Sequence, residues 1–246
     1  MNTRPLLLEG ENLSDVWLKV LESTLENSPH EITPLIVTLT DFKESSTIRE
    51  TLDAHLQSNR LASIQTVSET IFPESLFQFL GKDRLELYKE YLKNLTRIKR
   101  IDSSNRNGTY FERLIAFDGN EKKINQLEII ISSLQNQNIK RRSKLQASVF
   151  DPRKDHTNRP FQGFPCLQHI TFYRSSNGGL VMNSFYAIQY LYRRAYGNWL
   201  GLINLGRFVA NELQIELERF NCYVGIEHLD HLSKGDAQDL IIKLQK

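Results

Sequence analysis

The 246-residue sequence predicts an α/β fold in which one mixed β-sheet is packed with helices. Two observations support this prediction. In the first part of the chain, apolar residues recur at helical spacing, then at strand spacing, and then both patterns repeat. Further along, an Asn177-Gly178-Gly179 turn joins two strand-like runs, and a long apolar stretch predicted to be helical follows them.

The first 62 residues are predicted to form a βα extension that packs on a main domain spanning residues 63–246. Asn12 or Ser14 can cap the first helix, because a short polar side chain can accept a hydrogen bond from a free backbone N–H of the first turn. The elements predicted after it are a strand at 32–39, a helix after Ser45-Ser46, an extended segment at 64–67 and a helix that Pro73 opens and that ends near Gly81.

The remaining elements are predicted from the same kinds of signal, namely apolar spacing bounded by polar or Gly/Pro-containing segments. They are a helix at 84–100, a loop at 102–108, a helix from Asn120, a strand at 145–150, a loop at 151–163, strands at 170–173 and 180–182, a helix at 186–213, a strand at 220–226 and a helix at 236–244.

Composition excludes several classes of protein. Hydrophobic residues make up 40% and charged residues 24% of the chain, and the formal net charge is +2, which is ordinary for a globular protein in the cytoplasm. The basic runs lack interleaved aromatic residues, so nucleic acid is not the expected partner. Two cysteines cannot form a disulfide framework or a Cys-rich zinc site, and no metal is expected. No apolar run is long enough for a signal peptide or a membrane helix.

The segment at 164–230 carries the most specific pattern. Cys166 follows Pro165 after a polar loop, Asn198 follows Gly197 in the long apolar stretch, and His228 comes 30 positions later. This order and spacing resemble the thymidylate synthase family, whose members and relatives, the pyrimidine nucleotide hydroxymethylases, arrange their nucleotide site in the same sequence. The resemblance extends to four earlier residues, Glu74, Tyr110, Arg141 and Arg142.

The resemblance implies a role for each of these side chains. A thiolate at Cys166 would add to C6 of the pyrimidine ring and activate C5. The carboxamide of Asn198 would read the base edge, Arg141 and Arg142 would bind phosphate, and His228 would bind a sugar hydroxyl. Glu74, with Tyr110 or a water molecule, would move protons at the ring.

Each of these residues also has an ordinary structural interpretation. A cysteine in an apolar stretch commonly packs in the core, and this is the interpretation preferred for Cys222. Asn198 would then be a satisfied core amide, and Arg141-Arg142 would be a solvated helix end.

The chain departs from the family pattern in three places. Ala187-Ile188-Gln189-Tyr190 stands where the family has a phosphate-binding Arg-Ser pair and an Asp that meets folate. If 186–213 is one helix, Arg193 and Arg194 do not take over the lost arginine, because they lie on another side or two turns away. Asp230 replaces an expected tyrosine, and the sequence ends 18 residues after His228, where the family continues into a tail.

Two functions are therefore carried forward. The first is an enzyme that transfers a methyl or hydroxymethyl group to C5 of a uracil-type nucleotide, with methylenetetrahydrofolate as a candidate donor. The second is a catalytically altered nucleotide-binding or structural subunit of a multi-protein system, for example in anti-phage defence. The resemblance also implies a homodimer, because the family shares its twin arginines across the subunit boundary.

Overall fold

A computed structural model describes residues 4–101, 103–119, 121–136, 141–159 and 165–245. Its β-strands, numbered in chain order, are β1 (Leu6–Asn12), β2 (Glu31–Ile32), β3 (Leu35–Lys43), β4 (Phe117–Asp118), β5 (Lys123–Ile124), β6 (Gln146–Ser148), β7 (Leu167–Arg174), β8 (Leu180–Tyr190) and β9 (Leu217–His228). Its α-helices are α1 (Leu13–Glu26), α2 (Ser46–Ser58), α3 (Ile64–Glu69), α4 (Glu74–Phe79), α5 (Arg84–Ile101), α6 (Tyr110–Ile115), α7 (Gln126–Gln135), α8 (Pro152–Asp155), α9 (Tyr196–Glu212) and α10 (Lys234–Leu244).

The main sheet is mixed. Its strands follow the order β1-β3-β9-β8-β7-β6, and β2 adds to β9 outside this path. The pairs β1–β3 and β8–β9 are parallel, whereas β3–β9, β7–β8 and β6–β7 are antiparallel. The prediction of an α/β fold with one mixed sheet packed with helices is confirmed.

Helix α9 lies in the middle of the molecule and is buried along most of its length. A helix that is apolar on every side is stable only when protein surrounds it. Two glycines allow its close approach to α3, because an added Cβ at Gly197 would lie 2.6 Å from Val67 Cβ and one at Gly201 would lie 2.6 Å from the Ser68 carbonyl oxygen. Helix α9 is thereby held against α3 on one side.

The N-terminal part of the chain is joined to this centre through α1. The Asn12 side chain caps α1, as predicted, by accepting from the backbone N–H groups of Ser14 and Asp15. The Trp17 indole donates to the Leu191 carbonyl oxygen at 3.2 Å. Because β1 and β3 also belong to the main sheet, residues 4–62 support the same core as the rest of the chain, and the proposed division at residue 62 stays a prediction.

Two predicted elements are wrong, and both corrections concern the site. Residues 64–67 form helix α3 instead of an extended segment, because the Ser63 side chain caps its first turn and its apolar residues pack inward. Residues 186–190 belong to strand β8 instead of a helix, because β9 pairs with this segment up to Tyr190 and β7 pairs with its first residue, Tyr186. A short apolar run such as that at 186–190 fits a buried strand and a buried helix equally well.

Smaller differences occur in the polar segments. Within the predicted loop at 102–108, residues 103–107 form a 3₁₀ turn, and the loop at 151–163 contains α8. The strand at 145–150 is reduced to β6, and the helix predicted from Asn120 begins at Gln126. Asp102, Asn120, Lys140 and residues 160–164 lie outside the described part of the chain.

One face of the sheet carries a ladder of aromatic rings. His169 stacks on Phe185 with ring centroids 5.7 Å apart, and Phe185 stacks on Tyr223 at 5.1 Å. Tyr223 is 38% exposed, so this end of the ladder faces solvent.

Within the described residues, no helix is both long and apolar enough to cross a lipid bilayer.

Candidate functional site

The site is built where strand β8 passes directly into helix α9. A single π-helical turn, Leu191–Ala195, joins the two elements. The Asp230 carboxylate fixes the start of this turn by accepting from the backbone N–H groups of Tyr192 and Arg193, at 3.1 and 3.4 Å, and from the Arg193 side chain. Single π-helical turns are frequent at functional sites.

An open cavity lies beside this junction. It contains about 770 Å³ of empty space, part of which is open solvent at its mouth. The start of α6, the residue before β7, the end of β8, the π-helical turn and α9 all contribute to its wall. The larger polar and aromatic side chains of this wall, together with the one thiol among its described residues, are Tyr110, Cys166, Gln189, Tyr190, Arg193, Arg194 and Asn198.

Cys166 is the candidate nucleophile, and its position is fixed by the sheet. Its carbonyl oxygen accepts from the Ala187 N–H of β8 at 3.1 Å. Burial raises the pKa of the Cys166 thiol, and the positive charge of Arg194 acts in the opposite direction. Cys222 is fully buried in the core, as its structural interpretation suggested, and burial raises its pKa to about 12.

Replacing Arg194 tests this electrostatic coupling. In Arg194→Gln the nearby positive charge is lost, so we expect the pKa of Cys166 to rise and its alkylation by iodoacetamide at pH 8 to slow by roughly threefold or more. Because Cys222 is fully buried, alkylation of the folded protein reports on Cys166. The measurement is the rate of mass increase as a function of pH.

Arg193→Gln is the matched control, because Arg193 lines the same cavity but is paired with Asp230. Alkylation should slow less in this variant than in Arg194→Gln. Equal rates in the wild-type protein and Arg194→Gln would show that Arg194 does not act on the thiol.

Tyr110 lies close to the same thiol. It begins α6, whose first turn is held by a capping box between Thr109 and Glu112. Its hydroxyl group is hydrogen-bonded to the backbone of Cys166 and Leu167, and burial raises its pKa well above the ordinary range. Tyr110 therefore keeps its proton at neutral pH and can donate a hydrogen bond, but it is a poor base.

Asn198 is the third residue of α9 and is 5% exposed. Its side chain lines the cavity, and no described residue forms a hydrogen bond with its carboxamide. Its amide atoms reach the open space of the cavity and are not enclosed in the core. The structure therefore does not show the satisfied core amide of the alternative interpretation.

The two arginines of the π-helical turn correct an earlier inference. From a continuous helix we expected Arg193 and Arg194 to lie away from the site, but both line the cavity with Cys166. The π-helical turn begins only after β8 ends at Tyr190, so the helical geometry used for that inference does not apply. The cavity therefore has two cations where the sequence suggested a loss of positive charge.

Four predicted site residues lie outside the described cavity lining. Glu74 begins α4 and accepts a hydrogen bond from the Gln78 side chain. Arg141 and Arg142 are exposed, and the 3₁₀ turn Arg142–Lys144 begins directly after Arg141. His228 ends β9, opposite Tyr190, with their ring centroids 6.3 Å apart. Their predicted roles stay predictions.

Gln189 and Glu227 were not identified from the sequence. Gln189 is 2% exposed and lines the cavity, while Glu227 is fully buried and directly opposite it in the parallel β8–β9 pair. Both strands change here from burying even-numbered to burying odd-numbered residues. Gly225 lies where β9 makes this change, and a glycine is required there because an added Cβ would lie 2.7 Å from the Ala187 carbonyl oxygen. The sequence signal for Gln189 was a single glutamine in an apolar run. It was not recognised because that run was predicted to be part of a helix.

Neither side chain is satisfied by the described residues. Both amide atoms of Gln189 and both carboxyl oxygens of Glu227 are buried without a hydrogen-bond partner. Burial raises the pKa of Glu227 well above its ordinary value, and the negative charge of Asp230 adds to this effect. Both effects favour the protonated form of Glu227.

Comparison with known proteins supports the resemblance over part of the chain. Over 139 residues, 55% of this chain, the sequence is 31% identical to a protein of Methanocaldococcus jannaschii named "Putative thymidylate synthase", and the match covers 58% of that protein. No family model matches the sequence. The two proteins thus share a distant, thymidylate-synthase-like relationship over about half of their lengths.

No group of three or more His, Cys, Asp or Glu side chains within the described ranges is arranged to hold a metal ion.

Proposed function

We propose that this protein has a thymidylate-synthase-like fold and acts at C5 of a uracil-type pyrimidine nucleotide through a covalent bond from Cys166. One observation carries the proposal. Tyr110, Cys166 and Asn198 come from three separate parts of the chain, and the fold brings all three to one cavity. A nucleophile, a base-reading amide and a proton donor are the groups that this chemistry requires.

The covalent step is a reversible addition. The Cys166 thiol first gives its proton to water, and Arg194 stabilises the resulting thiolate. The sulfur then forms a bond to C6, and the electrons of the C5–C6 double bond move toward C5 and the C4 carbonyl oxygen. This enolate can accept a proton or a one-carbon group at C5. Tyr110, hydrogen-bonded beside Cys166, supports the position of the thiol.

The cavity also suits the charge of a nucleotide. The guanidinium group of Arg193 lies 4.8 Å from the centre of the Tyr190 ring, and Arg194 lines the same wall. Arginine is well suited to phosphate because its planar fork makes paired hydrogen bonds. We assign the phosphate to these two arginines, with Arg141 and Arg142 contributing only if a second copy brings them to the cavity.

The one-carbon donor is a separate question. Methylenetetrahydrofolate is the donor that the resemblance suggests, and in that family an aspartate meets it. None of the lining residues within the described ranges is an aspartate or glutamate. Tyr190 occupies the corresponding position and offers an aromatic surface instead. The described lining residues therefore account for activation of C5 and leave the one-carbon donor open.

Two observations favour the second candidate function, a nucleotide-binding or structural subunit without turnover. The described cavity wall has no carboxylate that could serve as a general base. Burial also raises the pKa of Cys166, which lowers the fraction of thiolate at neutral pH. Both features would leave nucleotide binding intact and slow the addition of Cys166 to the base.

Tritium release from C5-labelled dUMP distinguishes the two functions. After Cys166 adds to C6, the enolate takes up a proton from water at C5. Loss of the tritium from C5 to water, with expulsion of the thiolate from C6, then restores the C5–C6 double bond, so an enzyme releases tritium even without a one-carbon donor. Equilibrium dialysis with labelled dUMP measures binding in parallel. Release above the uncatalysed background supports the enzyme. Binding without release supports the subunit, and absence of both would refute a pyrimidine nucleotide site.

A homodimer is a further part of the proposal, supported by the exposed aromatic ladder on the sheet. Light scattering should give a mass near twice 28.6 kDa. Tyr223→Lys places a charge on that sheet face and should shift the mass toward the monomer, because burying an unpaired charge in an interface is costly. Ile242→Lys, at a 54% exposed position on α10, is the matched control. A monomeric wild-type protein at micromolar concentration would contradict this proposal.

A further inference from the structure

The floor of the cavity contains a second carboxamide besides Asn198. Gln189 lines the cavity and is 2% exposed, yet neither its amide oxygen nor its amide nitrogen has a partner among the described residues. A buried polar group without a partner costs free energy, on the order of 1–3 kcal/mol. Such a group in the wall of a cavity is best explained by a ligand that completes its hydrogen bonds.

A carboxamide alone does not distinguish a donor from an acceptor. Its two ends differ only in whether the oxygen or the nitrogen faces the ligand, and rotation about the last torsion exchanges them. A neighbouring group that binds one end therefore decides which end is presented. Glu227 is suitably placed, because neighbouring strands lie about 4.8 Å apart and directly opposed side chains share a face. Glu227 faces Gln189 in this way, but the two side chains are not hydrogen-bonded to each other in this structure, and no other described residue bonds to the carboxyl oxygens. A change in a side-chain torsion is needed to bring the carboxyl group to one end of the amide.

The protonation state of Glu227 determines the result. A protonated carboxyl group donates to the amide oxygen of Gln189, which leaves the amide N–H groups free for the ligand. An ionised carboxylate would accept from the nitrogen and leave the oxygen free. Complete burial and the neighbouring Asp230 favour the protonated form.

We propose that Gln189, held in one orientation by Glu227, donates to the C4 carbonyl of the base and thereby selects uracil-type over cytosine-type nucleotides. Uracil has a carbonyl acceptor at C4, whereas cytosine has an amino donor that would meet the Gln189 N–H group. Gln189 is a further specificity-determining residue beside the base-reading Asn198, and Glu227 is a positioning residue behind it. This inference rests on the proposed nucleotide site and names its substrate preference.

The test compares equilibrium binding of dUMP and dCMP to the 246-residue protein. The wild-type protein should prefer dUMP. In Gln189→Leu and in Glu227→Leu the ratio of the two dissociation constants should fall by roughly tenfold, which is the effect of one lost discriminating hydrogen bond. Glu227→Gln keeps a donor toward Gln189 and should retain part of the preference, and its near-identical size guards against loss of folding.

Ser184→Ala is the matched control, because Ser184 is buried on the same strand but does not line the cavity. The ratio of its dissociation constants for dCMP and dUMP should equal that of the wild-type protein. If the wild-type protein binds both nucleotides equally, or if Gln189→Leu and Ser184→Ala change the ratio by the same factor, the inference is overturned while the nucleotide site stands. If neither nucleotide binds, the proposed function fails and this inference fails with it.

Discussion

Cys166→Ser is expected to reduce tritium release from C5-labelled dUMP to the uncatalysed background, a loss on the order of a thousandfold or more. A serine hydroxyl is far less acidic than a thiol and does not add to a ring carbon without a strong base. None of the described residues that line the cavity is a carboxylate that could act as that base. Binding of dUMP should persist, since Asn198 and the arginines are unchanged.

The dependence of this rate on pH follows from the same thiol. Burial raises the pKa of Cys166, so the reactive thiolate is scarce at neutral pH, and release should increase as the pH rises toward that pKa. Cys222→Ala is the control, because this second thiol is fully buried outside the cavity. A Cys166→Ser protein that still released tritium would refute covalent catalysis by Cys166.

Gly201→Ala is expected to lower the free energy of unfolding by about 1–3 kcal/mol, which is the usual cost of overpacking. The added methyl group would lie 2.6 Å from the Ser68 carbonyl oxygen, and this backbone atom cannot move without shifting α3. Chemical denaturation followed by circular dichroism measures the change. Because α3 leads into Thr70 at the cavity wall, dUMP binding should weaken as well.

Gly235→Ala provides the matched substitution. Gly235 lies near the start of α10, where an added Cβ would approach only the Ser233 oxygen, at 3.8 Å. Alanine should therefore be neutral or stabilise the protein by up to roughly 1 kcal/mol, because it restricts the unfolded chain and favours the helix. If both variants unfolded at the same denaturant concentration, the close packing of α9 on α3 would not limit stability.

Local signals were sufficient for the elements that carry their own caps and turns. Asn12 and Ser45 each cap a helix where the sequence suggested, and the Asn177-Gly178-Gly179 turn closes the β7–β8 hairpin, with Gly178 at a φ of 92°. These features depend on residues that are close in sequence. The mixed character of the sheet followed from the order of such elements.

Residues 64–67 do have a local signal, since the Ser63 side chain caps their helix. Residues 186–190 could not be assigned in this way, because tertiary packing decides between strand and helix in an apolar run. The second error affected the site. Because a helix was predicted there, Arg193 and Arg194 were expected to lie away from the site and Gln189 was not identified. Glu227, which lies opposite Gln189, is 38 positions away in sequence, and only strand pairing brings the two residues together. Cys166 and Asn198, in contrast, were recognised from their spacing to other motif residues, and the structure brings both to the cavity.

The π-helical turn at Leu191–Ala195 has a consequence for how this site can vary among related chains. A turn of this kind holds one residue more than an α-helical turn, so its gain or loss is absorbed locally. The buried face of α9 from Tyr196 onward keeps its register with the core. Insertions and deletions can therefore exchange the charged residues at the cavity mouth while Cys166 and Asn198 stay in place, so ligand preference can diverge in this fold without a new arrangement of its core.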